Sequence, residues 1–240
     1  MLRYEWTFHD GPGVREPILQ RLLDIHPADI WTRCEYAFLL ADQGRHDEAL
    51  SQIDEAEAVD PNAPGVWNAR GFVFRLKNQL DDSKHAYRET VRLLADHDIA
   101  IQELVFLSEN LQERRDAVAF VEKELLRQST LGGGILALQR AAQLVFPPEE
   151  LLASLRRVLE ARPDLWQTWD AVIRQQVYLE REDAVETAQS AVRRFPLLPA
   201  LWLDLAAAHR VMRNADQEIV AIDRAIQLAP TWNDALRMLI

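Results

Sequence analysis

The stretch IWTRCEYAFLLADQGRHDEALSQIDEAEAVDP, Ile30 to Pro61, decides the fold. Its apolar positions predict a helix over Ile30–Asp42, a turn at Gln43-Gly44-Arg45 and a second helix from His46 to Val59. Pro61 stops that second helix, because proline removes a helical N–H and clashes with the preceding turn. Neither helix alone hides its apolar side, so the pair requires neighbours.

The rest of the chain supplies them. From Pro27, steps of 34 residues reach Pro61, then Ala95 and Ser129 at expected helix ends, then Pro163; Pro196 and Pro230 follow at 33 and 34. Five prolines of the eleven in one register mark internal repetition. Taking Ile30 as a first residue, six units are expected: 30–63, 64–97, 98–131, 132–164, 165–198 and 199–232. Residues 1–13 read as an irregular arm around Gly11-Pro12-Gly13. A half-unit helix over 14–29 follows, from Val14 to Ile25, and 233–240 begins a further helix or a cap. Apolar stripes recur in the first helices (Tyr36, Ala37, Leu40; Trp67, Gly71, Phe74; Trp202, Leu205, Ala206) and in the second (Ala49, Ile53, Ala56; Ala184, Ala188, Ala191). Small residues let paired helices approach, and large ones fill the gap to the next unit. Helices of ~12–14 residues with short turns suit helical hairpins.

These residues resemble the tetratricopeptide repeat family. The resemblance rests on Gly44-Arg45-His46-Asp47-Glu48-Ala49 with Ala56 and Pro61; on Trp67, Gly71, Phe74, Ser83 and Tyr87; on Asp116-Ala117; on Glu182-Asp183-Ala184 with Ala191 and Pro196; and on Trp202, Leu205, Ala206, Ala225 and Pro230. It covers the chain from Val14 onward. It implies an all-α, right-handed superhelix (solenoid) of antiparallel helix pairs, and it says little about function. Gln139 and Leu151 stand where the family has small residues, Glu218 where alanine is usual, and the step from Pro163 to Pro196 is one residue short. Local distortion is therefore expected, above all between Gly132 and Pro148.

Composition narrows the function. The net charge of −11 repels phosphate backbones and anionic lipid heads, so neither nucleic acid nor membrane is expected as a partner. No segment is long and apolar enough to cross a bilayer, and the N-terminal residues do not form a signal peptide. One cysteine, Cys34, rules out an intramolecular disulfide, and a cytoplasmic location is expected.

Catalytic chemistry is sparse. Gly132-Gly133-Gly134 is not a phosphate loop, since Ile135-Leu136-Ala137 follows in place of the required lysine and hydroxyl; a flexible turn is expected. The six histidines lack partners at metal-ligand spacing, and Asp96-His97-Asp98 reads as turn and helix-cap residues. Cys34 reads as a structural thiol, and the acidic run Asp47, Glu48, Asp54, Glu55, Glu57 and Asp60 as a solvated face. No enzyme activity, cofactor or metal is expected.

The resemblance implies that first helices line a concave groove. The family's groove positions map to Asn68, Phe72, Arg75, Gln102, Phe106, Glu109, Arg140, Trp169, Ile173, Gln176 and Arg210, with Trp31, Glu35, Phe38, Gln143, Trp166 and Asp204 beside them. Rings supply contact area, amides hold main-chain groups and arginines pair carboxylates. Trp31, Trp166 and Trp169 read equally as inter-unit core. The family's clamp for C-terminal carboxylates is not matched, since Gly65, Cys34, Gln102 and Leu136 stand at its positions. The expected function is a non-catalytic module that binds a peptide or protein segment in this groove. The alternative is a targeting or substrate-recruiting arm of an enzyme whose catalytic domain lies beyond Ile240. Self-association through the last helix or the 1–13 arm is a further expectation.

Overall fold

The computed structural model describes residues 12–128 and 132–231. The arm and the terminal helix expected at 233–240, with the self-association assigned to them, lie outside the described residues, apart from Pro12 and Gly13. Among the described residues there are thirteen α-helices and no strand. The chain divides into two compact units, Met1–Leu94 and Ala95–Ile240.

The first unit contains α1 (Pro12–Ile25), α2 (Ile30–Asp42), α3 (His46–Val59), α4 (Pro64–Leu76) and α5 (Leu80–Leu93). The pair α2–α3 has the boundaries that the sequence predicts. Helix α1 begins two residues before the predicted Val14, with Pro12 as its first residue, where a missing N–H costs nothing. It is fastened to α2 by Tyr36, whose hydroxyl donates to Glu16 at 2.9 Å and accepts from Gln20 at 2.8 Å. Arg45 adds a 2.7 Å bond to Glu16, and that guanidinium holds the Glu16 carboxyl below its usual value. Ala37, Ala49, Ile53, Ala56, Val66, Ala69 and Val73 are fully buried together, so alanines sit where α2, α3 and α4 meet most closely. The acidic run of α3 is tied to its own neighbours: Asp54 and Glu57 reach Arg70 at 2.6 and 2.8 Å, and Asp47 reaches Lys77 at 3.1 Å. Burial pushes the Cys34 thiol up to about 12, which leaves it inert and structural.

The second unit contains α6 (Asp98–Phe106), α7 (Leu111–Arg127), α8 (Gly133–Ala142), α9 (Pro148–Ala161), α10 (Trp166–Tyr178), α11 (Ala184–Arg194), α12 (Pro199–Val211) and α13 (Ala215–Leu228). Helix lengths run from 9 to 17 residues, wider than expected. Helix α6 ends early because Asn110 starts α7. The Asn110 side chain caps α7 by accepting from the Glu113 N–H at 3.0 Å, and the Glu113 carboxylate accepts from the Glu109 N–H one residue further out at 3.3 Å. Helices α7 and α9 are joined through Glu122, which takes both arms of Arg157 at 2.6 and 2.7 Å and the Ser154 hydroxyl at 2.6 Å. Burial raises the Glu122 carboxyl, but those donors outweigh it and leave the pKa lowered.

The distortion expected at Gly132–Pro148 takes a definite form, and the glycine turn is not a loose one. Asp96 accepts from the N–H groups of Gly132 at 3.1 Å and Gly134 at 2.8 Å, which caps α8 from a residue far back in the chain. Gly132 has φ +85°, and a Cβ on Gly134 would stand 2.3 Å from the Ala95 carbonyl oxygen. Gln139, too large for the usual small-residue position, is buried and donates to Gln143 at 3.1 Å and Gln175 at 3.4 Å. His97 caps α6 by accepting from the Ala100 N–H at 3.3 Å. Burial lowers its pKa, so the ring stays neutral and able to accept.

Two local devices recur through the chain. The first is a left-handed residue between paired helices: Gly44 (φ 79°), Asn78 (φ 57°), Glu180 (φ 52°) and Arg213 (φ 57°). After each, the next N–H returns to the preceding helix: Arg45 to Leu40, Gln79 to Phe74, Arg181 to Gln176 and Asn214 to His209, at 2.9–3.0 Å. The second joins a stop proline to a side chain six residues on. Trp67, Trp169 and Trp202 donate their indole N–H to the carbonyls of Pro61, Pro163 and Pro196, each at 3.0 Å. Arg33 does the same to Pro27 at 2.9 Å.

Candidate binding cleft

The second unit carries a cleft of about 230 Å³ walled by the first helices of successive pairs. Helix α8 contributes Gln139, Arg140 and Gln143; α10 contributes Ile173, Arg174 and Val177; α12 contributes Asp204 and Ala207. These residues meet because the first helices pack side by side and present one face of each turn, at i, i+3 and i+4, to the same space. Of the positions expected in a groove, Arg140, Gln143, Ile173 and Asp204 come together here. Arg140 is exposed, whereas Ile173 is fully buried.

The base of the cleft is charged. Asp170 is 2% exposed and Asp204 is 6% exposed. Arg174 donates through Nε to Asp170, and the same nitrogen lies 3.8 Å from Asp204 Oδ1. Asp204 Oδ2 is buried with no hydrogen-bond partner. Burial, and then the neighbouring Asp170 charge, drive the Asp204 carboxyl well above the usual range against the pull of Arg174. The walls hold amides: Gln139 is bonded to Gln143 and Gln175, and Gln175 donates to the Pro148 carbonyl at 3.1 Å.

The other expected site residues lie elsewhere. In the second unit, Gln176 is buried near the cleft with its Oε1 unpartnered, and Gln102 is half-buried. Phe106 is 60% exposed at the end of α6, and Glu109 is exposed just beyond it. Trp169 is half-buried against the unit's core and bonded to Pro163; Arg210 bonds Glu218 at 2.6 Å. Trp166 lines a separate apolar hollow with Phe195 and Leu198. In the first unit, Phe72 meets Phe38 edge-to-face at 5.2 Å, and the Arg75 guanidinium lies 5.2 Å over the Phe72 ring. Asn68 is buried on the same helix with its Oδ1 unpartnered, and Trp31 is 62% exposed.

Sequence reasoning passed over Gln139, Asp170, Arg174, Val177 and Ala207. Asp170 was findable, because it stands one 34-residue period before Asp204. Among the described residues, no three His, Cys, Asp or Glu side chains form a group able to hold a metal ion, and no helix is long and apolar enough to cross a membrane.

Helix pairs in this register, with small residues at their contacts and left-handed turns between them, define an all-α helical-repeat protein of the tetratricopeptide type. No family model matches the sequence, and no curated protein matches it. Solved structures do resemble it. Yeast Tom70 superposes with a TM-score of 0.54 at 14% identity, over 96% of this chain and 49% of that one. The chain thus spans about half of the Tom70 chain. PilW, a type IV pilus biogenesis factor, gives 0.47 at 15% identity, over 88% of this chain and 98% of its own. YrrB, described as a TPR protein with an unusual peptide-binding site, gives 0.40 at 16% identity, over 92% and 96%. At these identities the likeness shows the fold alone.

Proposed function

We propose that the chain is a non-catalytic interaction module, built on the six-unit register, that holds an extended segment of a partner protein across α8, α10 and α12. The observation that carries this reading is the cleft itself, where three first helices converge amides, an exposed guanidinium and apolar side chains. Gln143 and Gln139 suit main-chain carbonyls and N–H groups, while Ile173, Val177 and Ala207 suit an aliphatic stem. The net charge of −11 favours neutral or basic segments over nucleic acid.

Selection of a displayed random-peptide library against the full chain tests the proposal. Selected peptides should lose at least tenfold in affinity on Gln143→Ala, and should lose binding on Ala207→Trp, which fills the cleft. Peptides that bind both variants as tightly as the parent would place recognition elsewhere.

A further inference from the structure

Resting on that reading, we propose that the cleft is a receptor for one basic side chain, a lysine or arginine of the bound segment, with Asp204 as its counter-charge. Two buried carboxylates, Asp170 and Asp204, face a single guanidinium, Arg174. That guanidinium is committed to Asp170 and stays 3.8 Å from the nearer Asp204 oxygen. The other Asp204 oxygen is buried without a partner. A carboxyl removed from water with one oxygen unpartnered is costly, and a second cation would offset that cost.

The shape of the cleft agrees. Its volume of about 230 Å³ lies below the ~300 Å³ at which small-molecule sites begin, and is suited to one side chain. Ile173, Val177 and Ala207 line the same cleft as Asp204, so an aliphatic stem can meet apolar side chains while its charged head meets the carboxyl. An acidic guest would face Asp170 and Asp204 and would have to strip Arg174 from its partner. Arg140 of α8 also borders the cleft, but it is exposed, and water screens its charge far more than that of a buried carboxylate. The charged groups facing Asp204 are Asp170 and Arg174 of α10, with Arg140 across the opening. Entry of the cation displaces the proton held at the Asp204 carboxyl to solvent.

Capped nonapeptides of alanine and serine that differ only in a central lysine, arginine, glutamine or glutamate test this by NMR titration of the full chain. Saturable shifts of the Gln139 and Gln143 side-chain amides are expected with lysine or arginine, with at least tenfold weaker binding for glutamine and glutamate. Lysine binding should tighten between pH 5 and pH 7.5. Asp204→Asn should weaken it at least tenfold without lowering the unfolding midpoint at pH 7.5, and Arg140→Glu should strengthen it. Glutamate binding best, or Arg140→Glu weakening the lysine peptide, would overturn the cation assignment and leave the cleft as a peptide site. Shifts from none of the peptides would overturn the cation assignment and the cleft reading together.

Discussion

Asp170 and Asp204 occupy the same place in successive helix pairs, one 34-residue period apart, and both face Arg174, which bonds Asp170 through Nε and lies 3.8 Å from Asp204 Oδ1. This buried pair, with Arg174 beside it, makes stability depend on pH in an unusual direction. The Asp204 carboxyl is raised in the folded chain by burial and by Asp170, so the folded state binds that proton more tightly than the unfolded state. Its contribution favours folding at low pH and declines as pH rises from the ordinary carboxylate value through the raised one. Asp204→Asn copies the protonated form. It should raise the thermal midpoint at pH 8 and change it little near pH 4, as followed by circular dichroism. Loss of stability at pH 8 would mean that the ionised pair holds the unit together.

The three adjacent glycines differ in what they tolerate. Gly133 has open space around it, and Gly134 faces the Ala95 carbonyl oxygen at 2.3 Å from a would-be Cβ. Gly134→Ala should destabilise by roughly 1–3 kcal/mol through forced backbone displacement. Gly133→Ala should be neutral or stabilising by up to about 1 kcal/mol. Urea denaturation of both variants checks the contrast, and equal costs would contradict the packing described.

The left-handed turns predict another asymmetry. Glu180 and Arg213 adopt φ of 52° and 57°, where a side chain costs about 1–2 kcal/mol, while Gly44 at 79° fits its position without strain. Glu180→Gly and Arg213→Gly should each raise stability by up to about 1 kcal/mol, net of the entropy that glycine adds to the unfolded chain. Gly44→Ala should lower it by a similar amount. Chemical denaturation midpoints give the sign of each.

Trp202→Phe keeps most of the ring while deleting the 3.0 Å bond to the Pro196 carbonyl. A loss of about 1 kcal/mol is expected from that bond, with a further contribution from the smaller ring. Trp169→Phe should behave alike and should leave peptide binding intact, because its indole serves the turn at Pro163. Peptide binding lost on Trp169→Phe would return this ring to the groove.

The periodic features were legible in the sequence. Pro61, Pro163 and Pro196 mark helix ends because no helix continues through them, and Ala49, Ile53 and Ala56 fall at helical spacing on one face. The distant features were not. Nothing local announces that Asp96 caps α8 through Gly132 and Gly134, since its partners lie on another stretch of chain. Arg140, Gln143, Ile173 and Asp204 line one cleft, and all four follow the 34-residue register that the sequence shows. The expected groove positions leave out Gln139 and Arg174, which lie off that register and reach the cleft because they are long. Trp169 was legible only as groove or core, because a ring at that position looks the same in sequence whether its N–H meets a partner or, as here, the Pro163 carbonyl of its own chain.

The most direct test of the cleft is the footprint of a selected peptide by hydrogen–deuterium exchange on the full chain. Slowed exchange is expected in 133–142, 166–178 and 199–211, the helices that wall the cleft, with α9, α11 and α13 unchanged. Protection confined to α9, α11 and α13, or to the first unit alone, would contradict the account.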